Sequence, residues 1–291
     1  MSNENKDNKN VVKKEDNYDL ANIITTAIKI PGVKVTREYF LREQFKDLSK
    51  EEIELIVEKG PVEAGIEQEV LRKKANRIIK ERTAFSTSAS FLAGLPGGWT
   101  MAATIPADIL QFYGVALRMA QELAYLYGEK DLWCDGTPDS DKVMNQLILY
   151  LGVMLGAVGA SQLVRVMANA LAKQALKKLP QKALTKTLIF TVTKYVLKPF
   201  GVKLTKAAFA KGVSKILPVV GGFISGGITL VSMMPMGNRL AETLDKAHFN
   251  YTDADFEADI TVLSEICEVD FETIDETEDT TEQERKGNEE K

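Results

Sequence analysis

Histidine and cysteine are nearly missing from this chain: its 291 residues include one histidine, His248, and two cysteines, Cys134 and Cys267. A zinc centre takes three or four Cys, His or carboxylate ligands, and Ser-His or Cys-His catalysis needs an imidazole beside its nucleophile. The expectation is therefore no metal, no cofactor and no catalytic residue. Two cysteines more than a hundred positions apart make no disulfide framework and give no argument for secretion. Met1 to Asn10 is polar, without the apolar stretch of a signal peptide, which points to the cytoplasm. Strand signals, meaning apolar alternation bounded by turn residues, are nearly absent as well.

A second absence is acid. From Lys142 to Ala241 there are 14 Lys or Arg and no Asp or Glu, whereas Glu242 to Lys291 holds 18 acidic residues against 4 basic ones. The formal net charge of −4 conceals this segregation. A basic stretch of that length attracts polyanions such as anionic lipid headgroups, nucleic acid or the chain's own acidic end. The plainer alternative is that the acidic end neutralises the basic block within one fold.

What is present reads as helix. Hydrophobic residues make up 45% of the chain and charged residues 27%, enough for a sizeable core. Ile66, Val70, Leu71, Ile78 and Ile79 step by three and four, which predicts a long helix from Pro61 to about Ala93. Pro106 and Asp108 suit a helix start, and Gly128 suits its C-terminal cap. A further long helix is expected over about Ser140 to Lys178. Prolines 180, 199 and 218 divide the rest into helices near 181–198, 202–216 and 219–232. A terminal helix is expected within Asn250 to Val269, on the spacing of Phe256, Ile260, Leu263 and Ile266. The fold expectation is all-α: a disordered arm over 1–18, one multi-helix domain over 19–270, and an acidic tail over 271–291.

Three segments carry no charge over more than twenty positions: Ala84 to Ala107, Val143 to Val164 and Ile216 to Asn238. About twenty apolar residues suffice for a helix to span a bilayer. Gly152, Gly156 and Ala160, and then Gly222 and Gly226, recur at four-residue spacing, a pattern that lets helices pack closely in membranes and in soluble bundles alike. Buried core helices are the favoured reading, because a mean hydropathy of −0.12 is not that of a multi-spanning protein. Between these segments lie Arg165, Lys173, Lys177, Lys178, Lys182, Lys186, Lys194, Lys198, Lys203, Lys206, Lys211 and Lys215, in amphipathic register and with no acids to pair them. That pattern points to contact with an anionic membrane surface, peripheral rather than integral. Nucleic acid is disfavoured, since few aromatics sit among the lysines and no known motif accompanies them.

On the helix that starts at Pro106, Asp108, Gln111, Arg118 and Glu122 fall within about 80° of one another. Arg118 and Glu122 are spaced to pair. The stripe reads first as solvent-facing, with a polar groove or buried network as the alternative. Gly94 to Gly98 lacks the lysine and the preceding strand of a phosphate loop.

The run Gly94-Leu95-Pro96-Gly97-Gly98-Trp99, the start Ile105-Pro106-Ala107-Asp108, Leu117-Arg118 and the close Tyr125-Leu126-Tyr127-Gly128 resemble the EcsC family. Leu217-Pro218-Val219-Val220-Gly221-Gly222 with Gly226-Gly227 and Ala247-His248-Phe249 is similar to a second motif of that family. The two bracket roughly residues 60–250. The resemblance implies a bacterial or fungal, cytoplasmic, membrane-proximal protein without an established reaction, from a family named for a gene beside an ABC transporter. The joint expectation is a non-enzymatic helical protein on the cytoplasmic membrane face, accessory to an ABC transporter or another membrane complex, of unspecified oligomeric state. The alternative is a soluble scaffold or adaptor without lipid contact. A third reading, an enzyme using Asp108, Arg118 and Glu122, is the least favoured.

Overall fold

In the computed structural model, residues 20–86, 107–133, 141–157, 159–169 and 226–266 are described, and all the regular structure among them is helical. The elements in chain order are α1 (Leu20–Ile28), α2 (Arg37–Gln44), α3 (Lys50–Lys59), α4 (Gln68–Ser86), α5 (Ala107–Leu126), α6 (Asp141–Leu155), α7 (Ala160–Ala168) and α8 (Gly226–Phe249). A last helix, α9, covers 253–266. The arm over 1–18, the tail over 271–291, and the helices expected at 181–198 and 202–216 lie outside the described residues.

The core is built around α5. Its sequence, rich in Ala and Leu, is apolar on nearly all sides, and a helix of that kind has no face to give to water. Between Ile109 and Tyr127 only Gln111 and Arg118 escape full burial. Helices α1, α2, α4, α6 and α8 all pack against α5. Each buried Leu, Ile or Met side chain contributes roughly 1.5–3 kcal/mol, so this helix anchors the domain. Helix α5 ends as its sequence predicts. Gly128 takes φ 98°, and the bonds from Gly128 N–H to the Tyr125 carbonyl (3.1 Å) and from Glu129 N–H to the Ala124 carbonyl (3.0 Å) form a Schellman cap.

Helix α8 supplies the second axis. Met233, Met236, Leu240, Leu244 and Ala247 are buried at spacings of three and four, and α8 packs on α4, α5, α6 and α7. Gly237 permits the closest approach: a Cβ there would lie 2.8 Å from Ile79 Cγ1 and from Met119 Sδ. The helix expected to end near 232 instead continues through Pro235 to Phe249, and the expected residues 219–225 lie outside the described residues. Pro235 sits on the exposed side, and the rest of the helix, packed on four neighbours, outweighs the one lost backbone bond.

Two more expectations are revised. The long helix from Pro61 begins only at Gln68, since residues 61–65 form turns closed by the bond from Ile66 N–H to the Pro61 carbonyl. The rod expected over 140–178 breaks after Leu155. Gly156 takes φ 75° and Gly159 φ 79°, and Ala157 N–H reaches the Gly152 carbonyl at 2.8 Å, which is again a Schellman stop. Gly152, Gly156 and Ala160 are therefore not one packing stripe. Gly152 is buried within α6, Gly156 ends that helix, and Ala160 opens α7, fully buried. Gly226 is the first residue of α8, and Gly222 lies outside the described residues. The apolar run over 143–164 is core: Leu147, Ile148, Leu149, Tyr150, Leu151, Val153 and Met154 are all buried. Among the described residues no helix is long and apolar enough to cross a membrane.

Candidate functional site

Three polar networks interrupt this apolar interior, centred on Glu122 and Gln121 of α5, on Asp245 of α8, and on the Arg165–Asp259 pair between α7 and α9. The first belongs to the stripe read from the sequence of α5, and it is not solvent-facing. Glu122 is 2% exposed and accepts from Arg82 Nε at 2.7 Å and from Arg118 Nε at 2.9 Å. Arg118 also donates to the Gly32 carbonyl. One turn of α5 thus ties α4 to the connection after α1. Gln121, which the sequence did not single out, is fully buried and completely bonded. Its Oε1 accepts from Val35 N–H (3.1 Å) and Trp133 Nε1 (3.2 Å), and its Nε2 donates to the carbonyls of Val33 (3.0 Å) and Leu117 (2.9 Å). Lys34 Nζ lies 4.7 Å from the Trp133 ring centroid. Gln111 is half-buried, and Asp108 stands in the first turn of α5 with its side chain outside the described set. With both Glu122 oxygens held by arginines, this carboxylate is not free for acid-base chemistry.

The second network lines an open cleft of about 510 Å³ between α4 and α8. The two helices approach closely at Gly237, and the small side chains of Ala75 and Ala241 line the cleft. Asp245 is 8% exposed at its side chain and accepts from Gln68 Nε2 (2.8 Å) and Arg72 Nη2 (2.7 Å). The Tyr127 hydroxyl approaches it at 3.4 Å. Burial, with the Asp245 carboxylate beside it, pushes the Tyr127 phenol up, so this hydroxyl stays a donor. Arg72 is held above its ordinary value by its bonds to Asp245. Asn76, Asn238, Glu242, Lys246 and Asn250 complete the wall. Carboxamides and charges of both signs suit hydrogen bonding to a polar group. Proton abstraction by Asp245 would first have to break the Arg72 pair. The ring of the single histidine, His248, stacks on Tyr127 at 6.5 Å and belongs to the packing of α8 on α5.

The third network gives Arg165, read from the sequence as a lipid contact, a partner within the protein. Its side chain is 16% exposed and forms a two-pronged pair with Asp259 of α9, with Arg165 Nε to Asp259 Oδ2 at 2.9 Å. The Tyr251 hydroxyl adds a bond to the same Asp259 oxygen at 2.9 Å. Arg239, the other arginine of the acid-free stretch, donates to the Met154 carbonyl at 3.0 Å and so caps the end of α6. The lysines expected at the membrane, Lys173, Lys177, Lys178, Lys182, Lys186, Lys194, Lys198, Lys203, Lys206, Lys211 and Lys215, lie outside the described residues.

Sequence spacing found the Arg118–Glu122 pair because it is local. Arg82, Arg72–Asp245 and Arg165–Asp259 join positions 40, 173 and 94 residues apart, and no periodicity within one element signals such pairs. Among the described residues no group of three or more His, Cys, Asp or Glu is placed to hold a metal ion. Comparison with protein-family models, with curated proteins and with solved structures returns no match.

Proposed function

We propose that this chain is an EcsC-like, non-enzymatic helical protein that works at the cytoplasmic face of the membrane, held there peripherally by the lysines of 173–215. The observation that carries the reading is the division of labour among the cations of the acid-free stretch. Its two arginines, Arg165 and Arg239, bond to protein groups. Apart from Lys142, every remaining cation of the stretch is one of the eleven lysines of 173–215. Arginine suits buried, forked pairing, whereas lysine suits a solvated or lipid-facing surface. Among the described residues, the carboxylates of α8 and α9 that accept ion pairs do so from Arg72, Lys246 and Arg165. A role beside an ABC transporter or similar membrane complex follows from the EcsC resemblance and is part of the proposal.

The test is fractionation of the expressed protein, with a high-salt and a carbonate wash, together with co-sedimentation on anionic vesicles. Salt-sensitive binding that falls when the lysines of 173–215 are changed to glutamine is the expected result. A protein wholly in the soluble fraction and indifferent to lipid charge would overturn it. The second reading, a soluble adaptor, draws on the polar cleft between α4 and α8, whose charges and carboxamides suit a partner's polar side chains.

A further inference from the structure

We infer that Arg165 is an oxyanion site which the protein keeps closed with its own carboxylate, Asp259 standing where a phosphate of an anionic headgroup would bind. The inference rests on the membrane reading above and adds to it a site and a restraint. A guanidinium fork accepts carboxylate and phosphate oxygens in the same two-pronged geometry. Asp259 already makes that geometry, with the Tyr251 hydroxyl as a further donor at 2.9 Å. Arg165 is also the first cation in the run that continues with Lys173, Lys177 and Lys178, so an anion drawn to those lysines is brought towards it. With the Arg165 side chain 16% exposed and Asp259 7% exposed, no external phosphate reaches the site until α9 moves.

Helix α9 is fastened for such a movement. Of its residues, only Asp259 and Leu263 are fully buried, while Phe256, Ile260 and Ile266 are partly buried against the core. Among the described residues the other ion pair of α9, Lys246 to Asp255 at 2.7 Å, is 44% and 27% exposed at its two side chains and so contributes little. The Arg165–Asp259 pair is thus the main polar fastening of α9 among the described residues. An external oxyanion that satisfies Arg165 removes the cost of leaving it unpaired. Opening and ligand binding are then linked, because each favours the other.

The experiment compares the full chain with D259N, with the milder Y251F, and with the double variant R165Q/D259N. Hydrogen exchange of 253–266 is followed alongside binding to phosphatidylglycerol-containing vesicles, to phosphatidylcholine vesicles and to inorganic phosphate. Expected for D259N are faster exchange across α9 and a several-fold gain in affinity for the phosphatidylglycerol vesicles, with a smaller change of the same sign in Y251F. The double variant should lose the gain. Looser α9 without tighter vesicle binding would overturn the inference, as would a gain that survives R165Q. If no form binds anionic vesicles but inorganic phosphate alone accelerates exchange of α9, the membrane reading fails while the anion site stands.

Discussion

Glu122 and Asp259 are both carboxylates of low exposure held by arginine, yet the two pairs sit in opposite mechanical settings. Around Glu122 the whole of α5 is packed on five neighbouring helices, so the ion pair cannot open without the core. Around Asp259 only Leu263 of α9 is also fully buried, so far less apolar area holds that pair closed. The same bond therefore serves permanence in one place and release in the other. What decides is the apolar area that must be uncovered to break it, not the strength of the bond.

The comparison breaks first at Glu122. E122A leaves Arg82 and Arg118 facing an apolar wall and should cost about 3 kcal/mol or more of global stability; an unchanged denaturant midpoint would mean the arginines rearrange freely and the setting is not rigid. Next comes G237A, whose Cβ meets Ile79 and Met119 at 2.8 Å. Spreading α4 from α8 should cost about 1–3 kcal/mol, read from the same unfolding curves. D259N sharpens the contrast. Its loss should appear as about tenfold faster exchange confined to α9, with a smaller shift of the global midpoint than E122A gives.

The smallest effects belong to the start of α9. Thr252 and Asp255 cap it reciprocally, with Thr252 N–H to Asp255 Oδ2 at 3.1 Å and Asp255 N–H to Thr252 Oγ1 at 3.2 Å. T252A should fray this turn by about 1 kcal/mol or less, seen as faster exchange at 253–256. Bonds from Lys246 and from Thr252 hold the Asp255 carboxyl down to about 2. A depressed value stabilises the folded state above the usual carboxylate range and loses that contribution as pH falls. Exchange at 253–256, corrected for its intrinsic rate, should therefore rise between about pH 4 and pH 2, and a flat profile would show that the cap does not hold α9.

The sequence carries the helical class, the C-terminal end of α5 and the local Arg118–Glu122 pair because each depends on residues within a turn or two of one another. Gly128 was legible as a cap for that reason. The stop was harder: Gly156, four residues from both Gly152 and Ala160, looks like part of a packing stripe, and only the positive φ of Gly156 and Gly159 marks the break. The helix expected to end near 232 runs on through Pro235, since packing on neighbours distant in sequence outweighs the local penalty. The burial of Glu122 was illegible because Arg82 reaches it from 40 positions away, and Asp259 on Arg165 because a basic run reads as surface until a distant acid claims its first member.

The stop at Gly156 also sets a length. Val143 to Val164 offers more than twenty uncharged positions in a row, which in a continuous helix would match the roughly 30 Å hydrocarbon layer of a bilayer. Cut at Leu155, α6 has 15 residues and spans about 22 Å at 1.5 Å per residue. The stretch most like a membrane span is thus divided into two rods, each too short to serve as one. Replacing both glycines with alanine removes that ruler, and in an insertion assay the segment should then shift from the soluble side towards the bilayer.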